Sequence, residues 1–125
     1  SNFIIQALSG KDLTINGDGS QTRSFQYVDD LISGLIKMMN SDDSFIGPCN
    51  LGNPVEISMN KLSNLVLSQT NSNSKIKYKP LPNDDPKRRK PNIDLSMEKL
   101  NWKPEIDLEK GIFDTINYFK KKLNE

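Results

Sequence analysis

The order of apolar and polar positions divides the chain into helices alternating with short strands. Phe3, Ile4, Ala7 and Leu8 recur at helical spacing, and Gly10 stands where a left-handed residue would end that helix. Residues 13–15 form a short β-prone run closed by Asn16-Gly17-Asp18-Gly19, a turn by composition because Asn, Asp and Gly tolerate positive φ. Residues 25–28 alternate as a strand does. Asp29 and Asp30 then read as caps of a helix whose apolar stripe is Leu31, Ile32, Leu35, Ile36 and Met39.

Further on, residues 49–51 predict a strand between Pro48 and the breaker Gly52-Asn53-Pro54. Ser58 predicts the cap of a helix carrying Met59, Leu62, Leu65 and Val66. After a polar turn at 71–74, residues 75–79 alternate charged with apolar, the pattern of an exposed strand. Four prolines and four consecutive bases make regular structure improbable over 80–91. A short helix at 95–100, then Trp102-Lys103-Pro104, lead to a last helix starting near Asp107. That helix is expected to bury Leu108, Ile112, Ile116, Phe119 and Leu123, and its lysine-rich end suits the helix dipole. The alternation predicts an α/β fold, helices with short strands, rather than a bundle. A chain of 125 residues fits one domain with a modest core.

Composition narrows the chemistry. Seventeen basic residues face sixteen acidic ones, so a net charge of +1 gives no general pull toward nucleic acid or anionic membrane. The chain has one cysteine and no histidine, which sets aside an intrachain disulfide, a zinc site and a histidine-based triad. Cys49 reads as a small buried hydrophobe. No apolar run reaches the about 18 residues of a membrane-spanning helix, and no basic-then-apolar leader opens the chain, which begins on Ser1 inside an element. The chain reads as having neither a Gly-rich strand–turn–helix fingerprint for a dinucleotide nor a Tyr-x-x-x-Lys pair for hydride chemistry.

Three segments could carry chemistry. In Asn16-Gly17-Asp18-Gly19-Ser20-Gln21-Thr22-Arg23 the glycines allow close approach of a ligand, Gln21 can bond a base edge or ribose, and Arg23 offers a planar fork for phosphate oxygens. A tight hairpin with a solvated arginine explains the same letters. In Asp84-Asp85-Pro86-Lys87-Arg88-Arg89-Lys90-Pro91, four cations between prolines could capture a diphosphate. A charged surface loop or a nucleic-acid patch are the other readings, the last weakened by the flanking acids. Asn50-Leu51-Gly52-Asn53 could set a side-chain amide at the mouth of a cleft, or be an ordinary strand-ending turn. Trp102 could stack on a base, but a tryptophan beside an amphipathic helix is more often core.

Taken with Ser1-Asn2-Phe3-Ile4, Ser24-Phe25-Gln26-Tyr27-Val28, Pro54 and Trp102-Lys103-Pro104, these segments closely resemble UDP-glucuronic acid decarboxylases, in order and spacing over essentially the whole chain. That family lies within the extended short-chain dehydrogenase/reductases, beside nucleotide-sugar epimerases and 4,6-dehydratases. The resemblance implies that residues 1–125 are the carboxyl-terminal, substrate-binding subdomain of an NAD(P)-binding Rossmann-fold enzyme. The NAD-binding part, with the catalytic tyrosine and lysine, is then expected upstream of this sequence.

By the same resemblance Thr14, Ile15, Asn16, Gly17, Gly19 and Gln21 line the uridine and meet the diphosphate. Arg23 clamps phosphate, Asn50 directs its amide at the nucleotide-sugar, and Arg89 lies near the diphosphate and sugar. For Arg89 an electrostatic role is expected rather than proton donation, since an arginine's ordinary pKa is about 12.5 or above. The implied reaction oxidises C4 of UDP-glucuronate with NAD, loses CO2 from the β-keto acid, and returns the hydride to give UDP-xylose. One departure is Asn92, where the family has aspartate. A UDP-sugar is the expected partner, with a homodimer for the full-length enzyme and no nucleic acid. Cytosol and Golgi lumen are both open. A sibling dehydratase or epimerase, and a non-catalytic sugar-nucleotide-binding domain, remain the alternatives.

Overall fold

The computed structural model describes residues 1–125 as five helices and four short strands. Helix α1 (Asn2–Leu8) buries Ile4 and Ala7, and Gly10 follows it at φ 66°. Strand β1 (Leu13–Asn16) buries Leu13 and Ile15 and leads through the glycine turn to β2 (Thr22–Ser24). Helix α2 (Val28–Met39) comes next, then an irregular stretch ending at β3 (Glu56–Ser58). Helix α3 (Met59–Thr70) is capped as its sequence predicts, Lys61 N–H donating to Ser58 Oγ at 3.2 Å. Strand β4 (Ile76–Lys79), helix α4 (Asp94–Leu100) and helix α5 (Leu108–Leu123), the last capped by Asp107, complete the chain.

The strands form two separate two-stranded sheets. Strand β1 pairs with β4 in parallel, Leu13 beside Ile76, and β2 pairs antiparallel with β3, Arg23 beside Ile57. Strands β1 and β2 therefore do not form a hairpin. The main core joins α1, α3 and α5 over β1, through Ile4, Ala7, Leu13, Leu62, Val66, Ile112 and Ile116. A second cluster gathers Ile93, Leu100 and Trp102, with Phe45, Cys49 and Leu51 against it. No helix is long and apolar enough to cross a membrane.

Several expectations change. The strand expected at 25–28 lies three residues earlier, and Val28 already begins α2. Residues 49–51 form no strand. Tyr27, not an aspartate, is the cap residue of α2. Asp30 is buried instead, its carboxylate accepting from Glu105 N–H at 3.1 Å and Ile106 N–H at 3.0 Å. A buried carboxylate needs such partners, and here it fastens α2 to the approach to α5. Leu123 is exposed because α5 has run past the core by its last turn. Cys49 is only partly buried. Trp102 is core, its indole N–H donating to Asp30 O and Ser33 Oγ, both at 3.0 Å.

Candidate functional site

The glycine turn after β1 is held from three sides. Gly17 and Gly19 take φ of 77° and 80°, a region where side chains with a Cβ are strained. Gly17 N–H donates to Lys79 O at 2.6 Å, and Asn60 N–H donates to Gly19 O at 3.0 Å. Asn60 Nδ2 donates to Asp18 O at 3.0 Å, and Tyr78 Oη donates to Asn60 Oδ1 at 2.9 Å. Ser20 donates to Asp18 through both its hydroxyl and its N–H, which holds the Asp18 carboxyl below the usual aspartate range. The turn thus arrives at β2 with its backbone fixed.

Of the residues expected to meet a ligand there, several face inward. Ile15 is fully buried, so only its backbone is available. Thr14 Oγ1 accepts from Gln6 Nε2 at 3.1 Å. Gln21 is buried and its amide nitrogen donates to Asn16 O at 2.5 Å, closing the turn from inside. Its side chain shapes the turn rather than offering a free amide to a base. Asn16 is exposed, and Arg23 ends the segment on β2.

Two distant segments come to β2. Thr22 N–H donates to Lys87 O at 2.9 Å, and Thr22 forms a parallel bridge with Arg88. The proline-bracketed basic loop is therefore laid along β2 rather than standing free. Both Thr22 and Arg88 reach Glu56 on β3: Thr22 Oγ1 donates to Oε1 at 3.0 Å, and the Arg88 guanidinium approaches the carboxylate at 2.8 Å. Arg88 beside it holds the Glu56 carboxyl below its usual range, and Glu56 in turn raises Arg88.

One residue further along the basic loop, the backbone of Arg89 comes to the end of β2. Ser24 Oγ donates to Arg89 O at 3.3 Å, while Arg23 donates to Asp85 Oδ1 at 2.5 Å and to Thr22 O at 2.7 Å. Arg89 has no carboxylate partner; Arg88 and Arg23 do.

The third segment closes over the other end. Asn53 Nδ2 donates to Phe25 O at 2.9 Å, and Gln26 Nε2 to Leu51 O at 3.3 Å. Asn50 is exposed and donates through Nδ2 to Asn92 O at 3.1 Å. Gly52 lies so close to Pro91 that an added Cβ would fall 2.8 Å from its Cγ. Asn92 itself accepts from Asp94 N–H at 2.9 Å, opening α4. The segments at 14–26, 50–56 and 85–92 thus form one hydrogen-bonded unit. Sequence reading missed Glu56, Asn60 and Asp85 as its supports, because nothing local in the sequence marks a residue whose partner lies more than thirty positions away.

The chain offers no group of three or more His, Cys, Asp or Glu residues that could hold a metal ion. Its glycine turn runs from strand to strand, not from strand into a helix N-terminus, so it does not fit a dinucleotide pyrophosphate. A Tyr-x-x-x-Lys spacing passed over in the sequence does exist, at Tyr118 and Lys122. Both lie on the exposed final turns of α5, where Lys122 pairs with Glu125 at 2.9 Å.

The fold is closely similar to solved nucleotide-sugar enzymes. UDP-glucose 4-epimerase from Thermotoga maritima, solved with UDP-glucose, superposes with a TM-score of 0.91 at 30% identity, over 97% of this chain and 38% of its own. UDP-glucuronic acid 4-epimerase from Bacillus cereus, solved with UDP-glucuronic acid and NAD, gives 0.90 at 27% identity, over 97% of this chain and 39% of its own. These likenesses define the class as an α/β portion of the extended short-chain dehydrogenase/reductase fold. Residues 1–115 match the profile of the GDP-mannose 4,6 dehydratase family, and the chain belongs to that family. Among curated relatives, UDP-glucuronic acid decarboxylase 1 of Danio rerio is 48% identical over 98% of this chain and 29% of its own length. The protein of the same name from Arabidopsis thaliana is 44% identical over 100% of this chain and 28% of its own. The chain therefore spans less than a third of these decarboxylases.

Proposed function

We propose that residues 1–125 are the nucleotide-sugar-binding portion of a UDP-glucuronic acid decarboxylase, the remaining portion of which holds NAD. The observation that carries this reading is the meeting of three segments distant in the chain, each resembling a decarboxylase motif, at strand β2 and the residue after it. Identities of 44–48% to decarboxylases, against 27–30% to the epimerases, favour decarboxylation over the sibling reactions.

The chemistry asked of these residues is binding and charge placement. Arg23, now held by Asp85, exchanges that carboxylate for a phosphate oxygen, one anionic acceptor for another. Arg89, free of a carboxylate partner, sets positive charge beside the sugar. When the β-keto acid loses CO2, the electron pair of the broken C–C bond moves onto the ketone oxygen, and a fixed cation nearby stabilises the enolate. Asn50 orients the ligand from the neighbouring loop. NAD supplies the hydride chemistry when bound, from groups outside this chain. The full-length enzyme is proposed to be a homodimer acting on a UDP-sugar.

Titration calorimetry on the full-length protein tests the site. Arg23→Ala is expected to weaken UDP binding roughly tenfold or more, the loss of one charge-assisted hydrogen bond; unchanged affinity removes Arg23 from the site. The full-length enzyme is expected to release CO2 from UDP-glucuronate with no net consumption of NAD. A 4-keto-6-deoxy sugar product would instead identify a dehydratase, and UDP-galacturonate an epimerase.

A further inference from the structure

The stretch between β4 and α4 is fastened unevenly. Its second half is pinned to β2 and β3: Thr22 N–H donates to Lys87 O, Arg88 pairs with Glu56, and Ser24 Oγ donates to Arg89 O. Its start is pinned as well, since β4 pairs with β1 up to Lys79, whose carbonyl accepts from Gly17 N–H. Residues 80–86 run between these two anchorages with little of their own. Pro80, Pro82 and Pro86 have no N–H to give. A turn closes inside the segment, Asp85 N–H donating to Pro82 O at 3.1 Å. The one hydrogen bond from residues 80–86 to the rest of the chain is the bond that Asp85 accepts from Arg23.

Short as it is, the segment covers both ends of the candidate site. Leu81 lies on Gly17, where an added Cβ would meet its side chain at 3.2 Å, and Asp85 lies on Arg23. Residues 82–84 between them are exposed. The Arg23 and Asp85 side chains are only 19% and 29% exposed, so little water screens their attraction. Thr22 O engages the other terminal nitrogen of Arg23 at 2.7 Å. A phosphate arriving at this guanidinium therefore meets a carboxylate already on it, and two anions on one cation repel each other.

We infer that Asp85 competes with the diphosphate of a bound nucleotide for Arg23, and that residues 80–86 are the strap that carries this carboxylate on and off the site. The inference rests on the proposed function for the identity of the ligand. The strap is free to move because one ion pair and one apolar contact hold it, while the anchorages on either side depend on neither. It sets a threshold for binding: the apparent affinity is that of the open site multiplied by the fraction of time the strap is off. A positioning role for Asp85, holding Arg23 ready for phosphate, makes the opposite demand, because removing the carboxylate would then weaken binding.

Isothermal titration of UDP into the full-length protein decides the sign. Asp85→Asn keeps the side chain's shape and removes its charge, and is expected to tighten UDP binding about threefold to tenfold. Asp84→Asn removes an exposed charge one residue away, and is expected to change the affinity by less than about twofold. In an Arg23→Ala background Asp85→Asn is expected to gain nothing, because no guanidinium is left to compete for. Weaker or unchanged binding in Asp85→Asn overturns the strap. So does equal tightening by Asp84→Asn, or a gain that survives Arg23→Ala, since either makes the effect one of general charge. In each of these cases, loss of UDP binding in Arg23→Ala leaves the functional reading standing. UDP binding absent from the unaltered protein, or indifferent to Arg23→Ala, overturns the functional reading and the competition with it.

Discussion

At the scale of single residues, Gly19 carries the largest local constraint. It combines a φ of 80° with contact so close that an added Cβ would fall 2.0 Å from Asn60 Oδ1. Gly19→Ala is therefore expected to destabilise the fold by about 2 kcal/mol or more, measured by urea denaturation. Repeating it in an Asn60→Ala background separates the causes: relief there assigns the cost to the clash, and none assigns it to the backbone. The turn itself was legible in the sequence, because Asn, Gly and Asp report local dihedral demands. What Gly19 and Gln21 touch was not, because Asn60 and the inward path of Gln21 depend on how β1 and α3 pack. Arg23 likewise reads in the sequence as a candidate phosphate fork, while its present partner Asp85 lies in a loop with no periodicity to place it.

Between elements, the Glu56–Arg88 pair tethers the basic loop to β3. Arg88 lowers the Glu56 carboxyl below its ordinary value of 4.5, so the folded state favours the ionised form. The stabilisation is then fully present above that value and is lost as pH falls through the lower, folded one. The denaturation midpoint is expected to drop below about pH 4.5, and Glu56→Gln to flatten part of that drop. Asp12, Asp18 and Asp42 are lowered too, so the difference between the two proteins isolates the Glu56 share. An identical acid profile for both would deny the tether any role. Helices were read well here because an apolar stripe repeats over several turns. Strands β2 and β3 hold three residues each, too few for alternation to show. The stripe of α2 was visible as well, yet Ile32, Leu35, Ile36 and Met39 stand exposed, and no pattern in a sequence says whether an apolar face meets its own core.

Across the whole molecule, Asp30 fastens α2, which packs Met38 against the second hydrophobic cluster, to the backbone leading into α5 of the first. Asp30→Ala leaves the N–H groups of Glu105 and Ile106 unpartnered in a partly buried setting. The expected cost is about 2–3 kcal/mol, read as a lower midpoint in thermal or urea unfolding. A neutral result would mean water replaces the carboxylate there. The α/β class was legible because helices and strands alternate along the chain. The partition into two sheets was not, since pairing partners are chosen across long sequence distances.

The parallel pairing of β1 with β4 has a temporal consequence. Leu13 finds its neighbour only at Ile76, and Asn16 only at Lys79. On a ribosome adding roughly 5–20 residues each second, β1 leaves the exit tunnel and waits on the order of several seconds for the strand that completes it. Leu13 and Ile15 spend that interval exposed in a growing chain, making this the window in which a chaperone has most to shield.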